Sequence, residues 1–507
     1  MWIKSALKNV KYTILTYLIN YILKFVVRLV FIQKLSLEVL GFHSVTTDIF
    51  SMLSFFELGV GPAVIFSLYK PIAHKDYRKV KAILNYLKRM YKFVAIIIFI
   101  VGVFISFYLN NLIKNIESIE NIQILFFILL VNASVSYLLS YKRSLLIADQ
   151  NQYIDNLYHC LFQIILSFLQ IISMIIFSNY IVFVLLILLS TILENIVISI
   201  RINKLYSYIF KAHEEKLSVL FKNDLWKNIK ALVFHKIGEI INIGAGNIIL
   251  AKYIGLTSVG LYSNYILITN AVDLFISQCI NSLTSVIGNY IVIESQERNI
   301  FIFKVLNFVI AFIASIMSVF IYLFINDIIT IWIGEKYLLG NLISLSIAAR
   351  FYLEIMRKVV LVFRAASGLY WHDRYKTIIQ AIVNIMFSIY LTIHFGIVGV
   401  VWGWIICIFV VCFVVEPYIL FKYAINVKMK EYYSDYFKFS VITFILGLCC
   451  KMLKDKLFVE CSIVNLLLCA ILSSFIIGVT WRFIFKNRDE MAWIAKFIKE
   501  RIKLKLA

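Results

Sequence analysis

Apolar stretches of about 20 residues recur along the whole chain and are separated by short polar segments. An α-helix needs about 20 apolar residues to cross the hydrocarbon core of a bilayer. The pattern therefore predicts an all-α polytopic membrane protein with about 14 transmembrane helices. The predicted spans are residues 12–32, 46–68, 91–109, 122–140, 157–177, 180–200, 229–251, 262–289, 303–325, 342–363, 377–395, 397–420, 437–453 and 461–481.

The composition excludes a water-soluble protein and predicts the topology. Hydrophobic residues make up 62% of the 507 positions and charged residues only 15%. The formal net charge is +22, and most Lys and Arg fall in polar segments predicted to lie on the same side of the membrane as the N-terminus. Because cytoplasmic loops are enriched in these residues, we expect both termini in the cytoplasm. The basic charge then reflects topology and attraction to anionic membrane lipids, and it does not predict a nucleic-acid partner.

Two basic segments carry apolar residues at helical spacing. This pattern predicts amphipathic helices on the cytoplasmic membrane surface. One is the C-terminal tail, residues 488–507, which includes Trp493. The other is residues 70–92, with apolar positions at Val80, Ile83, Leu84, Leu87 and Tyr91. A general positive-inside anchor is the competing interpretation, and it is the one we favour for both segments.

A faint internal repeat divides the chain. Residues 34–44 (KLSLEVLGFHS) and 252–263 (KYIGLTSVGLYS) each place a basic residue and a hydrophobic-Gly-hydrophobic step just after an apolar span. Their offset groups the first twelve spans into two sets of six. Transporters built from two pseudo-symmetric halves bind substrate between the halves and rock one half against the other. We predict an N-terminal half at 1–200, a cytoplasmic linker at 201–228, a C-terminal half at 229–422, and two extra helices with a basic cytoplasmic tail at 423–507.

Lys24 and Arg28 lie inside the first predicted span, four residues apart and so on one helix face. A charge at mid-membrane costs about 3 kcal/mol on insertion scales and usually faces a wet cavity or a partner. The pair therefore predicts a cationic face along a pathway for an anionic substrate. The alternative is that Lys24 extends to the membrane surface while Arg28 pairs with an acid elsewhere.

Glu57 and Asp273 are isolated acids in spans two and eight. Each is expected to pair with a base on another helix, and Arg28 is the candidate partner of Glu57. Arg350, Glu354 and Arg357 form one polar stripe along span ten. Internal pairing of Arg350 with Glu354 favours a structural or gating network there over direct substrate contact.

Lys236 lies in span seven, beside His235 and three residues before Glu239. Lys236 is a candidate contact for an anion, with the other two residues adjusting its charge. A local helix pair near the cytoplasmic interface is an equal alternative.

Helix-weakening residues predict where spans bend or pack closely. Gly61 and Pro62 fall in the middle of span two, where they should bend or loosen the helix. Gly244 in span seven suggests either a hinge or close packing. Gly399 and Gly403 in span twelve, four residues apart, are more typical of close packing.

Several motifs resemble those of one known family. Residues 50–71 read FSMLSFFELGVGPAVIFSLYKP. Further matches are YKRSLLIADQ at 141–150, HKIG at 235–238, VGLYSNY at 259–265, RAASGLYWHDRY at 364–375, FGIVGVVWG at 395–403 and EPYILFKY at 416–423. In this order and spacing they resemble the bacterial polysaccharide repeat-unit flippases (O-antigen, capsule or exopolysaccharide) of the multidrug/oligosaccharidyl-lipid/polysaccharide exporter superfamily.

The resemblance implies a MATE-like fold of two six-helix halves in the bacterial cytoplasmic membrane. It also implies alternating-access translocation of a polyprenyl-pyrophosphate-linked oligosaccharide to the outer leaflet for surface polysaccharide assembly. A polysaccharide polymerase and chain-length machinery are then possible partners. A pyrophosphate needs cations, which Lys24, Arg28 and Lys236 would supply. One departure is Gly246, in a segment where family members often carry an acid, so that task is dispensable or has moved to Glu239 or Asp273.

Two other functions compete with glycan export. A cation-coupled drug or metabolite antiporter of the same superfamily would be expected to favour acids in its cavity, whereas the cations Lys24, Arg28 and Lys236 cluster at the starts of the two halves. A membrane glycosyltransferase or polymerase would need a paired-carboxylate loop, a metal cluster or a large loop to house the chemistry, and the sequence has none. A Gly-rich phosphate loop is also absent. We therefore expect a non-enzymatic transporter without catalytic residues, metal or cofactor.

Overall fold

The computed structural model describes residues 2–57, 60–114, 116–213, 215, 217–369, 372–458 and 462–506. These residues form helices joined by short connections, and no β-strand occurs among them. The chain divides into two compact units, Met1–Gly260 and Leu261–Ala507. The predicted all-α polytopic architecture is confirmed, while the proposed domain boundaries at 200, 228 and 422 remain predictions.

The helices are numbered in chain order. The first unit contains α1 (Trp2–Lys34), α2 (Leu37–Leu53), α3 (Val60–Ala73), α4 (Tyr77–Ser106), α5 (Leu109–Leu112), α6 (Ile122–Leu138), α7 (Arg143–Ala148), α8 (Gln152–Phe177), α9 (Tyr180–Leu205), α10 (Ser207–Lys211) and α11 (Val219–Tyr253). Helix α12 (Leu256–Asn281) begins in the first unit and continues into the second. The second unit also contains α13 (Thr284–Ile293), α14 (Gln296–Trp332), α15 (Asn341–Ala366), α16 (Lys376–Phe395), α17 (Ile397–Cys407), α18 (Phe413–Tyr423), α19 (Met429–Leu457), α20 (Ile463–Ile484) and α21 (Asp489–Leu506).

Eleven helical segments among the described residues are long and apolar enough to cross a membrane. Each of them overlaps one of the fourteen predicted spans. The other three predicted spans are also helical, but they are interrupted or more polar. They are residues 46–68 in α2 and α3, 229–251 in α11, and 342–363 in α15.

Span two is interrupted, as Gly61 and Pro62 predicted. Helix α2 ends at Leu53, a 3₁₀ turn occupies Ser54–Glu57, and α3 begins at Val60. Pro62 then lies in the first turn of α3, where backbone N–H groups have no partner within the helix and proline is tolerated. Leu58 and Gly59 lie outside the described residues.

Gly244 serves close packing, the second of its two predicted roles. Helix α11 runs unbroken past this position. A Cβ atom on Gly244 would lie 2.7 Å from Cγ of Met52, so the glycine leaves room for this side chain of α2.

The prediction that residues 70–92 lie on the membrane surface is wrong. Most of this segment belongs to α4, one continuous helix. Its apolar face is buried against the protein, in a core cluster with residues of α3, α7 and α9 such as Leu68, Leu145 and Ile198. Helical periodicity shows that a face is apolar, but it does not tell whether lipid or protein covers that face.

Helices α16 and α17 form a tight hairpin that depends on glycine. Gly396 joins them with φ of +61°, a conformation that favours glycine. A Cβ atom on Gly399 would lie 2.2 Å from the carbonyl carbon of Leu391, and one on Gly403 would lie 2.6 Å from the backbone nitrogen of Ser388. The structure thus confirms that these two glycines serve packing.

Helices α17 and α18 are joined by a π-helical segment, Ile408–Cys412. Pro417 follows within α18 and has no N–H to donate to the carbonyl of Phe413, four residues earlier. The hydroxyl of Tyr433, on α19, donates to that carbonyl over 2.9 Å. The Tyr433 side chain of α19 therefore supplies the hydrogen bond that Pro417 cannot donate within α18.

The predicted amphipathic tail forms α21. Just before it, Arg488 donates to the carboxylate of Asp435 over 2.9 Å, and this hydrogen bond raises the pKa of Arg488. The ring of Trp493 lies 6.4 Å from that of Phe301, near the start of α14. These contacts hold the start of α21 against α19 and α14, two other helices of the second unit.

Candidate functional site

Helix α1 carries Lys24 and Arg28 and is anchored on both sides of them. Near its start, Asn9 donates to the carbonyl of Gln150 over 2.9 Å. Near its end, the ring of Phe31 lies 5.1 Å from that of Phe183 in an edge-to-face contact. The two cations are therefore presented by a helix whose position is fixed by packing.

Lys24 remains exposed although it lies within an apolar span. Its ammonium lies 5.1 Å from the centre of the Tyr21 ring. Within the described part of the chain, no ion pair between Lys24 and a carboxylate is found. Arg28, one turn further along, is half-buried. The structure thus places one accessible and one partly covered cation on the predicted face.

Glu57 lies in the 3₁₀ turn that interrupts span two. Its Oε1 accepts a hydrogen bond of 2.8 Å from the hydroxyl of Tyr91 on α4. Gly61 leaves room for this contact, because a Cβ atom there would lie 3.2 Å from the Tyr91 hydroxyl. The predicted pairing of Glu57 with Arg28 stays a prediction.

Asp48 on α2 is an acid within the predicted span 46–68 that the sequence reasoning did not single out. Its Oδ2 accepts a hydrogen bond of 2.7 Å from Asn247 on α11. Asn247 follows Gly246 in the segment where the resembling family often carries an acid. An acidic residue inside the predicted span 46–68 was the signal that could have identified Asp48.

Three other predicted residues share α11 with Asn247. Helix α11 includes His235, Lys236 and Glu239, but the side chains of these residues lie outside the described part of the structure. Their proposed roles stay predictions.

A second charged cluster of the first unit joins α7, α8 and α9, and the sequence reasoning missed it. Arg143 donates to Asp155 over 2.9 Å, to Glu194 over 2.8 Å and to Asn195 over 2.9 Å. Nδ1 of His159 lies 3.2 Å from Glu194. Arg143 belongs to the YKRSLLIADQ motif, which gave no indication of its distant partners.

In the second unit, Arg350 and Glu354 pair as predicted. Nε of Arg350 donates to Glu354 over 3.0 Å, and its Nη1 donates to the hydroxyl of Tyr262 over 2.9 Å. The guanidinium also lies 4.9 Å from the centre of the Trp404 ring. Arg350 is thus held by a carboxylate, a hydroxyl and an aromatic face.

Asp273 pairs with a base on another helix, as expected for an isolated intramembrane acid. Its Oδ1 lies 2.9 Å from Nζ of Lys358 on α15. Asp273, Arg350 and Glu354 line a small polar recess between α12 and α15 within the second unit. Thr269 and Asn270 add neutral polar groups to its wall.

Arg357, the third residue of the predicted stripe on α15, pairs with Glu416 on α18. Nε and Nη2 of Arg357 donate to the two carboxylate oxygens of Glu416 over 3.0 and 2.6 Å. Lys376 on α16 forms a second ion pair with the same carboxylate. Glu416 is 1% exposed, so one buried acid balances two cations. Only the position of Glu416 inside the EPYILFKY motif drew attention to it in the sequence.

No group of three or more His, Cys, Asp or Glu side chains suited to a metal ion is found among the described residues. The first unit presents Lys24 and Arg28 on α1, and the second presents acids that are each paired with a base.

No protein-family model matches the chain, and a sequence comparison with curated proteins gave no match. Solved structures are similar in fold. The lipid II flippase MurJ in an inward closed conformation is 15% identical with a TM-score of 0.69, over 94% of this chain and 99% of MurJ. An inward-facing multidrug resistance MATE family transporter of the MOP superfamily is 15% identical with a TM-score of 0.60, over 80% of this chain and 94% of its own.

An outward-facing MATE family transporter of the MOP superfamily is 16% identical, with a TM-score of 0.54, over 83% of this chain and 95% of its own. Identities at this level support a shared fold. The chain therefore has the MATE-like polytopic fold of these transporters.

Proposed function

We propose that this protein is a flippase of the bacterial cytoplasmic membrane. It moves polyprenyl-pyrophosphate-linked oligosaccharide repeat units from the inner to the outer leaflet by alternating access, for surface polysaccharide assembly. The fold shared with MurJ, a lipid II flippase, supports this proposal over nearly the whole length of both chains. Alternating access fits the same fold, which solved transporters adopt in inward-facing and outward-facing conformations.

The observation that carries the proposal is the pair of cations inside the apolar helix α1. Lys24 is exposed within the apolar segment Lys11–Lys34, and Arg28 lies one turn away on the same face. A pyrophosphate group is polyanionic, and guanidinium and ammonium groups are the side chains that bind it most strongly. We propose that Lys24, Arg28 and Lys236 bind the pyrophosphate.

The paired acids of the second unit suit a gating network. Glu354 and Asp273 are each neutralised by a base on α15, and Glu416 is neutralised by two bases. A site that captures cationic drugs would leave acids free for the substrate. These ion pairs therefore favour an anionic substrate over a cationic one.

A cation-coupled antiporter is the second candidate function. Asp48 and Glu57 in the first unit accept hydrogen bonds from the neutral side chains of Asn247 and Tyr91. Acids with neutral partners can bind a proton or a metal cation more readily than acids in ion pairs. The same two acids could supply ion coupling to a flippase.

The proposal includes the surroundings of the protein. Both termini lie in the cytoplasm, and the basic C-terminal tail, residues 488–507, contacts anionic lipid headgroups. A polysaccharide polymerase and chain-length machinery would receive the translocated unit.

A strain lacking the protein provides the test. We expect a lipid-linked oligosaccharide to accumulate on the inner leaflet while surface glycan is lost, with mass spectrometry of extracted lipids identifying the sugar. Restoring the intact gene should reverse both effects. Normal surface glycan together with increased sensitivity to cationic drugs would contradict the flippase and support the antiporter.

A further inference from the structure

We propose that the first turns of α2 and α12 form an outer latch, a small contact that closes the outer face of the transporter and separates when that face opens. This inference rests on the proposed transport function. The latch consists of Leu37, Glu38 and Gly41 on α2 and of Leu256, Thr257 and Gly260 on α12.

The latch brings the two copies of the internal repeat, residues 34–44 and 252–263, into contact with each other. A Cβ atom on Gly41 would lie 2.0 Å from the carbonyl oxygen of Leu256, and one on Gly260 would lie 2.4 Å from the carbonyl oxygen of Leu37. The same contact occurs twice with the roles exchanged, which is the signature of a two-fold axis. Both pairs bring backbone against backbone, so any side chain at either glycine would force the helices apart.

A hydrogen bond closes the centre of the latch. The hydroxyl of Thr257 donates to Oε1 of Glu38 over 2.7 Å, and the two residues are 219 apart in sequence, at the offset of the repeat. This bond lowers the pKa of Glu38, which keeps the carboxylate charged and the bond charge-assisted. Ser36 caps α2 by accepting a hydrogen bond from the backbone N–H of Val39 and so fixes the turn that carries Glu38.

The composition of the contact suits reversible closure. It consists of two glycine crossings and one hydrogen bond with partly exposed partners, without an ion pair among its six residues. Such a contact can separate without exposing a large apolar surface. In the proposed topology α1 crosses the membrane from the cytoplasm to the outside and ends at Lys34. The residues that follow Lys34 therefore lie at the outer face. Alternating access requires this face to be closed whenever the cytoplasmic face is open.

Disulfide trapping tests the proximity and its consequence. Glu38→Cys is combined with Thr257→Cys, and a protease site is inserted between α10 and α11 so that a crosslink holds the two fragments together on a non-reducing gel. We expect rapid crosslinking by an oxidant added outside cells, loss of transport on crosslinking, and its return on reduction. The control pair is Thr47→Cys with Thr257→Cys, because Thr47 lies nine residues further along α2, about 13.5 Å away from position 38.

Gly41→Ala tests the geometry of the crossing. Its Cβ would collide with the Leu256 carbonyl, so we expect most of the crosslinking of the 38/257 pair to be lost. Labelling of a single cysteine at position 257 by an impermeant reagent from outside should increase. Gly478→Ala is the matched control, because nothing lies within 4 Å of a Cβ atom at that helical glycine.

Failure of the latch can be distinguished from failure of the proposed function. No crosslinking of the 38/257 pair, unchanged crosslinking in Gly41→Ala, or undiminished transport by the crosslinked protein would each overturn the latch. If trapping and labelling behave as expected while no lipid-linked glycan is moved, the latch stands as the outer closure of a transporter with another substrate.

Discussion

Glu416 balances two buried cations, Arg357 and Lys376, in the second unit. Removing one member of a buried ion pair leaves an uncompensated charge, which costs about 3–5 kcal/mol. We expect Glu416→Gln to lower the thermal unfolding temperature of the detergent-solubilised protein markedly. Glu431→Gln is the control, because Glu431 pairs with Lys304 on the exposed surface and its loss should change stability little. Equal shifts in the two variants would contradict this account of the buried pair.

Arg28 is the residue on which the proposed pyrophosphate contact depends most. Arg28→Ala should reduce surface glycan by about tenfold or more, because charge-assisted hydrogen bonds contribute about 1.5–3 kcal/mol each. Arg28→Lys retains the charge but loses the planar fork, so we expect partial export. Glycan is quantified on whole cells, and immunoblots of membranes verify that each variant is inserted. Normal glycan in Arg28→Ala would argue against a pyrophosphate contact at this residue.

At the scale of single elements, Pro417 and Tyr433 act together. Tyr433→Phe removes the donor to the Phe413 carbonyl and should cost about 1 kcal/mol of unfolding free energy. In a Pro417→Ala background the same change should cost much less, because the new backbone N–H at position 417 can donate to that carbonyl. A double-mutant cycle measures the coupling. Additive effects would show that the hydroxyl does not replace the missing donor.

The predicted topology places each loop between helices on one side of the membrane, and cysteine labelling can test that side. A cysteine at position 76 is the obvious cytoplasmic probe, but Asp76 caps α4 by accepting a hydrogen bond from the backbone N–H of Lys79. His74→Cys avoids that loss, and His74 is exposed. Impermeant maleimide added to intact cells should label Glu117→Cys and spare His74→Cys until the membrane is opened. The reverse pattern would invert the proposed orientation.

Elements were more predictable than their contacts. The described residues of all fourteen predicted spans are mostly helical, because long apolar runs and glycine or proline interruptions are local signals. The covering of the α4 face was predicted wrongly, because lipid and protein interiors both demand apolar side chains. The pairing of Arg350 with Glu354 was predictable since both share one helix. Arg357 with Glu416 was not, because their contact depends on how α15 and α18 pack.

At the scale of the whole molecule, the fold constrains function more loosely than the charges do. The MATE-like fold is shared by structures described as a lipid II flippase and as multidrug resistance transporters. Under the proposed function, the sign of the charge inside the spans separates these possibilities, and Lys24 and Arg28 make it positive on α1. The sequence predicted this feature because charges inside an apolar run are visible without a structure. The sugar specificity of the proposed flippase would depend on side-chain arrangements that local patterns do not encode.

The most direct test of the central claim is a flipping measurement on the purified protein. The protein is reconstituted into proteoliposomes that contain a polyprenyl-pyrophosphate-linked oligosaccharide, and an impermeant glycosidase measures how much of the glycan becomes accessible outside. The account predicts time-dependent exposure of the inner-leaflet pool by the intact protein and strongly reduced exposure by Arg28→Ala. Exposure equal to that of protein-free liposomes, or full activity of Arg28→Ala, would contradict it.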